Sequence, residues 1–289
     1  MIKVIASDMD GTLLNKEHKV SERTAAAVKA AQQAGIRFMV STGRGFQQAM
    51  HALKGTGIEC DYIVSSGAEV RNPRKEVLQS GCMDWKDCKM VYEVLKDYEL
   101  TYLFTTADTD YCIGSMENRE RELMDHIRTF HQTMTDEEIR KTDLYTAMME
   151  HTRVVSGIEE LEAQGEKVFK IFAVSDDLEM LREIEEKLEK NQNLAVSSSF
   201  INNLEITDVK AQKGIALKNY IESLGYTMEE VMVFGDSMND YSMISMDFGA
   251  TIAMKNGAEA VKKAAKYITK SNGEDGVAYV IEELLKRQS

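Results

Sequence analysis

Two rhythms of apolar and polar positions run along this chain. Short apolar runs that stop at polar loops alternate with longer segments in which apolar residues return every three or four positions. The first run stops at Asp8-Met9-Asp10-Gly11-Thr12. A strand there delivers Asp8 and Asp10 to the carboxyl edge of a sheet, on one side by period-two alternation. Ser21 is placed to cap a helix through Ala34, Gly35 ends it, and Ile36 to Val40 reads as a second strand entering Ser41-Thr42-Gly43-Arg44. Strand, helix, strand makes a right-handed parallel crossover, so Thr42 is expected at the same edge as Asp8. A helix from Phe46 to Leu53 and a strand from Tyr62 to Ser65 follow, with Ser66-Gly67-Ala68 in the next loop.

From about Cys82 the rhythm changes. Lys86 to Leu100 reads as a helix, Tyr102–Thr106 and Tyr111–Ser115 as a hairpin around Asp108-Thr109-Asp110, and a charged stretch continues to about Lys141. A strand over Val168–Val174 and an amphipathic helix over Leu178–Lys190 come next. Past Leu204-Glu205-Ile206 the α/β pattern returns. Lys213-Gly214 opens a helix that Gly225 stops, and Val231–Phe234 is a buried strand running into Gly235-Asp236-Ser237-Met238-Asn239-Asp240. A strand from Ala250 to Met254, a helix to Ala265, a strand over Tyr267–Thr269 and a final helix from Gly276 complete the series. The expected fold is α/β: a doubly wound, Rossmann-like parallel sheet made of residues 1–82 and 207–289, with an α+β unit of residues 83–206 inserted.

Composition narrows the partners. A net charge of -13 argues against nucleic acid or an anionic membrane, both of which need a positive face. Four cysteines, Cys60, Cys82, Cys88 and Cys112, form no CxxC pair and fit a reduced, cytoplasmic setting. No apolar run approaches a membrane span, and the start of the chain lacks the basic and apolar regions of a leader, so an unprocessed soluble protein is expected. The oligomeric state is not legible.

The chemistry sits at four strand ends. An Asp-x-Asp pair, a threonine before glycine, a lysine opening a helix and a Gly-Asp-x-x-Asn-Asp loop recur in that order. Adjacent carboxylates repel and lose solvation, so they call for a cation, and hard oxygen donors suit magnesium better than zinc or copper. A hydroxyl, backbone amides and a lysine suit phosphoryl oxygens.

These segments, DMDGT, STGR, the KG of AQKGIAL and GDSMND, resemble the four motifs of the haloacid dehalogenase (HAD) superfamily, and more narrowly its Cof-type sugar-phosphate phosphatases. TIAMKNGAEAVKKAA and NGEDGVA resemble later segments of that family. The resemblance implies a Rossmann-like core with a cap inserted between the second and third motifs. It implies that Asp8 is the nucleophile that becomes an aspartyl-phosphate, and that Asp10 protonates the leaving oxygen and then activates water. Magnesium would be held by Asp8, the Asp10 backbone carbonyl and Asp236, with Asp240 orienting the metal's surroundings. Thr12, Thr42, Lys213, Asn239 and the Met9 and Gly43 backbones would bind phosphate or substrate, and Arg44 would either reach a substrate hydroxyl or carboxylate or form a structural salt bridge. The substrate would be a small phosphorylated metabolite, with sugar phosphates the expected class.

An aspartate at position 10 favours a phosphatase or phosphomutase over a dehalogenase, which lacks it, or an ATPase, which carries threonine there. The interval from Asp8 to Thr42 is nearly filled by one flap and one helix, whereas Thr42 to Lys213 is far longer than a crossover needs. That is the phosphatase position for a cap. A phosphomutase or phosphotransferase, and a non-catalytic phosphometabolite sensor, are the alternative readings. Many relatives have Asn-Gly-Ala where this chain has Ser66-Gly67-Ala68, so a contact made by that asparagine is weakened or lost. Other features read as structural: the charged run Glu117–Glu122 as a solvated face, His126 and His131 as exposed, Met238, Met243 and Met246 as core, and Trp85 as packing at the start of the inserted unit.

Overall fold

The computed structural model describes residues 1–107, 109–130 and 134–288. Asp108 of the expected hairpin turn and His131 lie outside them. Residues Met1–Gly81 and Lys210–Ser289 make one compact unit and Cys82–Val209 the other. The crossings fall at 81/82 and 209/210, because the last strand of the second unit stays paired through Asp208.

In chain order the first unit begins with β1 (Val4–Ser7), α1 (Glu22–Gln33), β2 (Arg37–Ser41), α2 (Phe46–Ala52), β3 (Asp61–Val64), β4 (Glu69–Arg71) and β5 (Val77–Ser80). The second unit contributes α3 (Trp85–Leu95), β6 (Thr101–Thr105), β7 (Asp110–Ile113), α4 (Met116–Phe130), α5 (Asp136–Arg140), α6 (Asp143–His151), β8 (Thr152–Val155) and α7 (Ile158–Ala163). It ends with β9 (Lys170–Val174), α8 (Leu178–Leu188), β10 (Leu194–Ser197) and β11 (Asn203–Asp208). The chain then returns through α9 (Lys213–Ser223), β12 (Val231–Gly235), α10 (Tyr241–Ile244), β13 (Ala250–Ala253), α11 (Glu259–Ala264), β14 (Tyr267–Ile268) and α12 (Gly276–Gln288).

Strand order in the first unit is β14-β13-β12-β1-β2-β3-β4-β5. Pairing is parallel from β14 to β3 and antiparallel across β4 and β5. The chain moves one way from β1 and the other way from β12, so the order reverses between these neighbours. That is the switch point at whose carboxyl edge doubly wound sheets bind ligands. Alternate residues of β1 feed two cores: Ile5 packs with Phe38, Val40 and Val28, and Val4 and Ala6 with Met39, Val233 and Leu217. Helices therefore cover both faces, as the parallel pattern requires. The β4–β5 hairpin has no counterpart in the sequence reading, where its short strands were hidden by charged and exposed residues.

The second unit holds a sheet ordered β10-β11-β9-β6-β7-β8. Phe104, Tyr111, Ile171, Ala173, Leu204 and Ile206 share a core with Val91, Leu161 and Leu181 of α3, α7 and α8. On the opposite face Leu103 and Cys112 pack with Leu123 and Ile127 of α4. That face also carries a buried ion pair, Lys170 Nζ to Glu205 Oε2 at 3.1 Å.

Several expectations fail here for stated reasons. The helix expected to reach Leu100 ends at Leu95, because Tyr98 and Leu100 close tight turns onto Leu95 and Tyr98 carbonyls before β6 begins. The charged run is not wholly solvated: Glu122 is buried, and burial pushes its carboxyl up to about 7. His126, one helical turn later, is not exposed either. Its Nδ1 is shielded from solvent and its ring lies 4.3 Å from that of Phe172. The i, i+4 spacing stacks both residues on one side of α4. Met243 is core and Met246 packs against it, but Met238 is exposed in the turn before α10. Trp85 packs against the second unit's main core. The four cysteines are free, and no helix among the described residues is long and apolar enough to cross a membrane.

Burial pushes His126 down to about 3 from an ordinary 6.5. The unfolded chain therefore takes up a proton below about pH 6.5 that the folded unit refuses, and this group's stabilising share drains away as pH falls from there toward 3. Thermal unfolding followed from pH 7 to 4 should show a shallower acid limb in His126→Leu than in wild type; parallel limbs would contradict this.

Candidate active site

The turn after β1 is the centre of the site. Asp8 N–H donates to Phe234 O at 3.0 Å, so pairing with β12 continues one residue past the strand. Leu13 N–H and Leu14 N–H then close back onto the Asp8 and Met9 carbonyls. Met9 buries its side chain in the core, which fixes the loop and leaves a backbone role for this residue. Gly11 has φ +78°, and a Cβ there would lie 2.3 Å from Asp236 Oδ2. Only glycine lets the β1 turn approach the β12 loop so closely.

Lys213, the first residue of α9, is buried and points its ammonium at the same place. Its Nζ lies 2.7 Å from Asp8 Oδ1, 2.5 Å from Asp240 Oδ1 and 3.3 Å from Asn239 Oδ1. The loop after β3 holds α9 there. Gly67 has φ +104°, and a Cβ on it would meet the Gln212 carbonyl carbon at 2.6 Å.

Beyond β12, Asp240 accepts the Asp236 and Ser237 N–H groups on Oδ2 at 2.9 and 3.0 Å. The hydroxyl of Thr12, expected at the phosphate, donates here to Asp236 Oδ1 at 2.7 Å. Asp8, Asp236 and Asp240 each bring a carboxylate oxygen within 4.8 Å of the others, and all three are withdrawn from solvent. The Asp10 carboxylate, counted among the metal ligands through its backbone, is not in this group.

Asp10 meets the loop after β2 instead. Arg44 Nε donates to its Oδ2 at 2.7 Å and Nη2 to its Oδ1 at 2.6 Å, and His18 Nδ1 of the flap stands 3.7 Å away. Thr42 is buried, and its Oγ1 accepts the Arg44 N–H at 3.1 Å. Ser66 N–H donates to Thr42 O at 3.0 Å and adopts φ +60°, a conformation that asparagine tolerates better than serine. Thus Asp8, Lys213, Asn239, Asp240, Asp236 and Thr12 form one chain of direct contacts, and Thr42, Arg44 and Asp10 form another.

Electrostatics separates the two N-terminal aspartates. Burial first, and the Asp240 charge second, push the Asp8 carboxyl well above its ordinary value, while Lys213 pulls it back only in part. Asp236 is pushed to about 7 by burial and Asp240. Burial also works against ionisation of Asp10, but the Arg44 fork and then His18 outweigh it and hold this carboxyl well below the carboxylate range. Burial likewise opposes the charge on Lys213, yet Asp240 and Asp8 more than compensate and raise it.

Three buried carboxylates facing a single ammonium leave an excess of negative charge where water is scarce. A divalent cation with hard oxygen preference fits that donor set.

Two supporting residues escaped the sequence reading. Asn256 Nδ2 donates to Gly11 O at 2.8 Å, and Asn272 Nδ2 to Leu14 O at 2.9 Å; the Asn272 N–H donates to Asn256 Oδ1. Both belong to the C-terminal segments whose likeness to a family was noted without assigning a role. They pin the turn after β1 from outside.

Saturating magnesium should raise the unfolding temperature of wild type, since a ligand bound only by the folded state stabilises it by about 2.7 kcal/mol at a hundredfold excess over Kd. Asp236→Asn should abolish most of that shift. Gly11→Ala should shrink it too, by driving Asp236 out of place, whereas an undiminished shift in Gly11→Ala would show that the close approach is dispensable.

A family model described as haloacid dehalogenase-like hydrolase matches residues 5–281. Phosphatase YwpJ of Bacillus subtilis is 31% identical over 290 residues, covering 98% of this chain and 100% of the relative. The 5-amino-6-(5-phospho-D-ribitylamino)uracil phosphatase YwtE of the same organism is 28% identical, covering 99% of each chain. A solved haloacid dehalogenase-like hydrolase from B. subtilis superposes with a TM-score of 0.84 at 29% identity, covering 98% of this chain and all of that one.

Proposed function

This chain belongs to the haloacid dehalogenase-like hydrolases, and from that premise we propose that it is a magnesium-dependent phosphatase of small phosphorylated metabolites, sugar phosphates above all, acting through an Asp8 phosphoenzyme. The observation that carries the reading is the buried Lys213 ammonium shared by Asp8 and Asp240 beside Asp236. Such a set supplies a nucleophile, a fixed positive charge and a place for a cation within a few ångströms, which is what phosphoryl transfer needs.

In the first half Asp8 attacks phosphorus, the bond to the leaving oxygen breaks with its electron pair on that oxygen, and Asp10 gives it a proton. In the second half water attacks the phosphorus of the aspartyl-phosphate, Asp10 takes the proton, and the Asp8 carboxylate is released. Asp8, the Asp10 backbone carbonyl and Asp236 would hold magnesium, which supplies charge neutralisation between the carboxylate nucleophile and the phosphate dianion. Lys213 and Asn239 steady the transferring oxygens beside Asp8, Thr42 with the Met9 and Gly43 backbones holds them from the other loops, and Asp240 keeps Lys213 and the 236–237 backbone in register. The substrate class is supported by the B. subtilis relatives, both named phosphatases, one for a phosphorylated ribityl compound. A polyhydroxylated phosphate ester of that kind is the chemistry to try first.

Hydrolysis of a panel of sugar and polyol phosphates with magnesium should release inorganic phosphate in step with substrate loss. Asp8→Asn should lower kcat by at least about 10^3-fold, as loss of a covalent nucleophile does. Full activity in that variant would sink the phosphoenzyme, and isomerised product with little free phosphate would favour the mutase alternative.

A further inference from the structure

The segment after β13 touches both loops whose oxygens would hold the cation. On one side it is seated on the β12 loop: Met254 N–H donates to Gly235 O at 3.0 Å and Ala258 N–H to Asp236 O at 2.7 Å. Gly257 lies against the same loop, where a Cβ would come within 2.9 Å of Asp236 O. On the other side the Asn256 side chain reaches the β1 turn, its Nδ2 donating to Gly11 O at 2.8 Å. The other end of that amide is taken, since Oδ1 accepts the Asn272 N–H at 3.0 Å, so the donor end is the one turned to Gly11. The gripped carbonyl belongs to the peptide that leads into Thr12, whose hydroxyl donates to Asp236 Oδ1 at 2.7 Å. One short span, Asn256 to Ala258, thus fixes the Asp236 backbone and the Gly11–Thr12 peptide against each other. These are bonds between amide groups, which do not titrate.

We infer that Asn256 is a positioning residue that sets the spacing between the two cation-holding loops and thereby favours a small divalent cation over a larger one. This rests on the magnesium-dependent reading above. Magnesium demands a near-ideal octahedron of oxygens at about 2.0–2.1 Å, whereas calcium accepts about six to eight oxygens at about 2.3–2.6 Å in flexible arrangements. Donors held at a fixed separation serve the first ion, and donors free to spread serve the second. Spacing and fold can be told apart at this position. Asn256 is exposed, so truncating it opens no buried hole, and β1 and β12 stay paired over four residues without it. A residue that only supports the fold would weaken both ions alike.

The test measures the magnesium and calcium dissociation constants of the full chain by calorimetric titration. Asn256→Ala should weaken magnesium by about fivefold, within what one net hydrogen bond supplies, and calcium by less than about twofold, so the ratio of calcium Kd to magnesium Kd falls by at least about twofold. Asn256→Gln, which displaces the amide by one methylene, should fall between Ala and wild type, and serves in place of Ala should that variant fail to fold. Asn272→Ala removes the bond to Leu14 O but keeps the backbone N–H that orients Asn256, and should leave the ratio unchanged. Equal weakening of the two ions, an unchanged magnesium Kd, or a ratio moved as far by Asn272→Ala as by Asn256→Ala would overturn the inference while leaving the phosphatase reading intact. A wild-type protein that binds no magnesium and releases phosphate equally well without it would instead remove the reading on which the inference stands.

Discussion

One ammonium group holds this site together. Lys213 is fully buried and divides its hydrogen bonds between Asp8, the proposed nucleophile, and Asp240, which organises the loop after β12. Taking such charges out of water costs several kcal/mol per ion, and removing one partner of a buried pair typically costs about 3–5 kcal/mol, so each of these residues depends on the others being in place. The cost is tolerable because the geometry is dense: Asp240 also accepts two backbone N–H groups, and Asp236 accepts the Thr12 and Ser237 hydroxyls. The remaining imbalance of charge is what makes a divalent cation the natural complement of the pocket.

From that constraint follows the unequal treatment of two aspartates only two residues apart. Asp8 lies among other carboxylates and is pushed up; Asp10 lies in the fork of Arg44 and is pulled down. Neighbouring acids are thus given opposite environments, and a cation among Asp8, Asp236 and Asp240 would draw the Asp8 carboxyl back toward the ionised form that a nucleophile needs. The split is made by the sheet. Because β1 sits between β12 and β2, one side of its turn meets the Asp236–Asp240 loop and the other meets the Thr42–Arg44 loop.

The inserted unit shows a second use of buried charge. Beside the Lys170–Glu205 pair, Asn203 Oδ1 accepts the Ser199 and Phe200 N–H groups and the Ser199 hydroxyl donates to Glu205. This network braces the β10–β11 loop, whose tip exposes Ile201. Glu122 and His126 add two more titratable groups to the buried side of α4. A sequence of charged and polar residues with helical spacing reads as a water-facing surface, so these positions looked solvated until the sheet beneath them was known. Similarly, Asn256 and Asn272 looked like turn residues, since nothing local says that their amides reach the carbonyls of Gly11 and Leu14.

The sequence by itself determined the core strands, the Asp-x-Asp turn and the order of the four polar strand ends, because each is written in local alternation, in glycine and capping positions and in the spacing of motifs. It also supplied the identity of the residues that meet, since a parallel crossover puts successive strand ends at one edge. Which of them touch was decided only by the tertiary structure. The fork between Arg44 and Asp10, the bond from Thr12 to Asp236 and the ammonium shared by Asp8 and Asp240 depend on side-chain directions at loops tens to hundreds of residues apart, and no local pattern encodes a distance across a sheet.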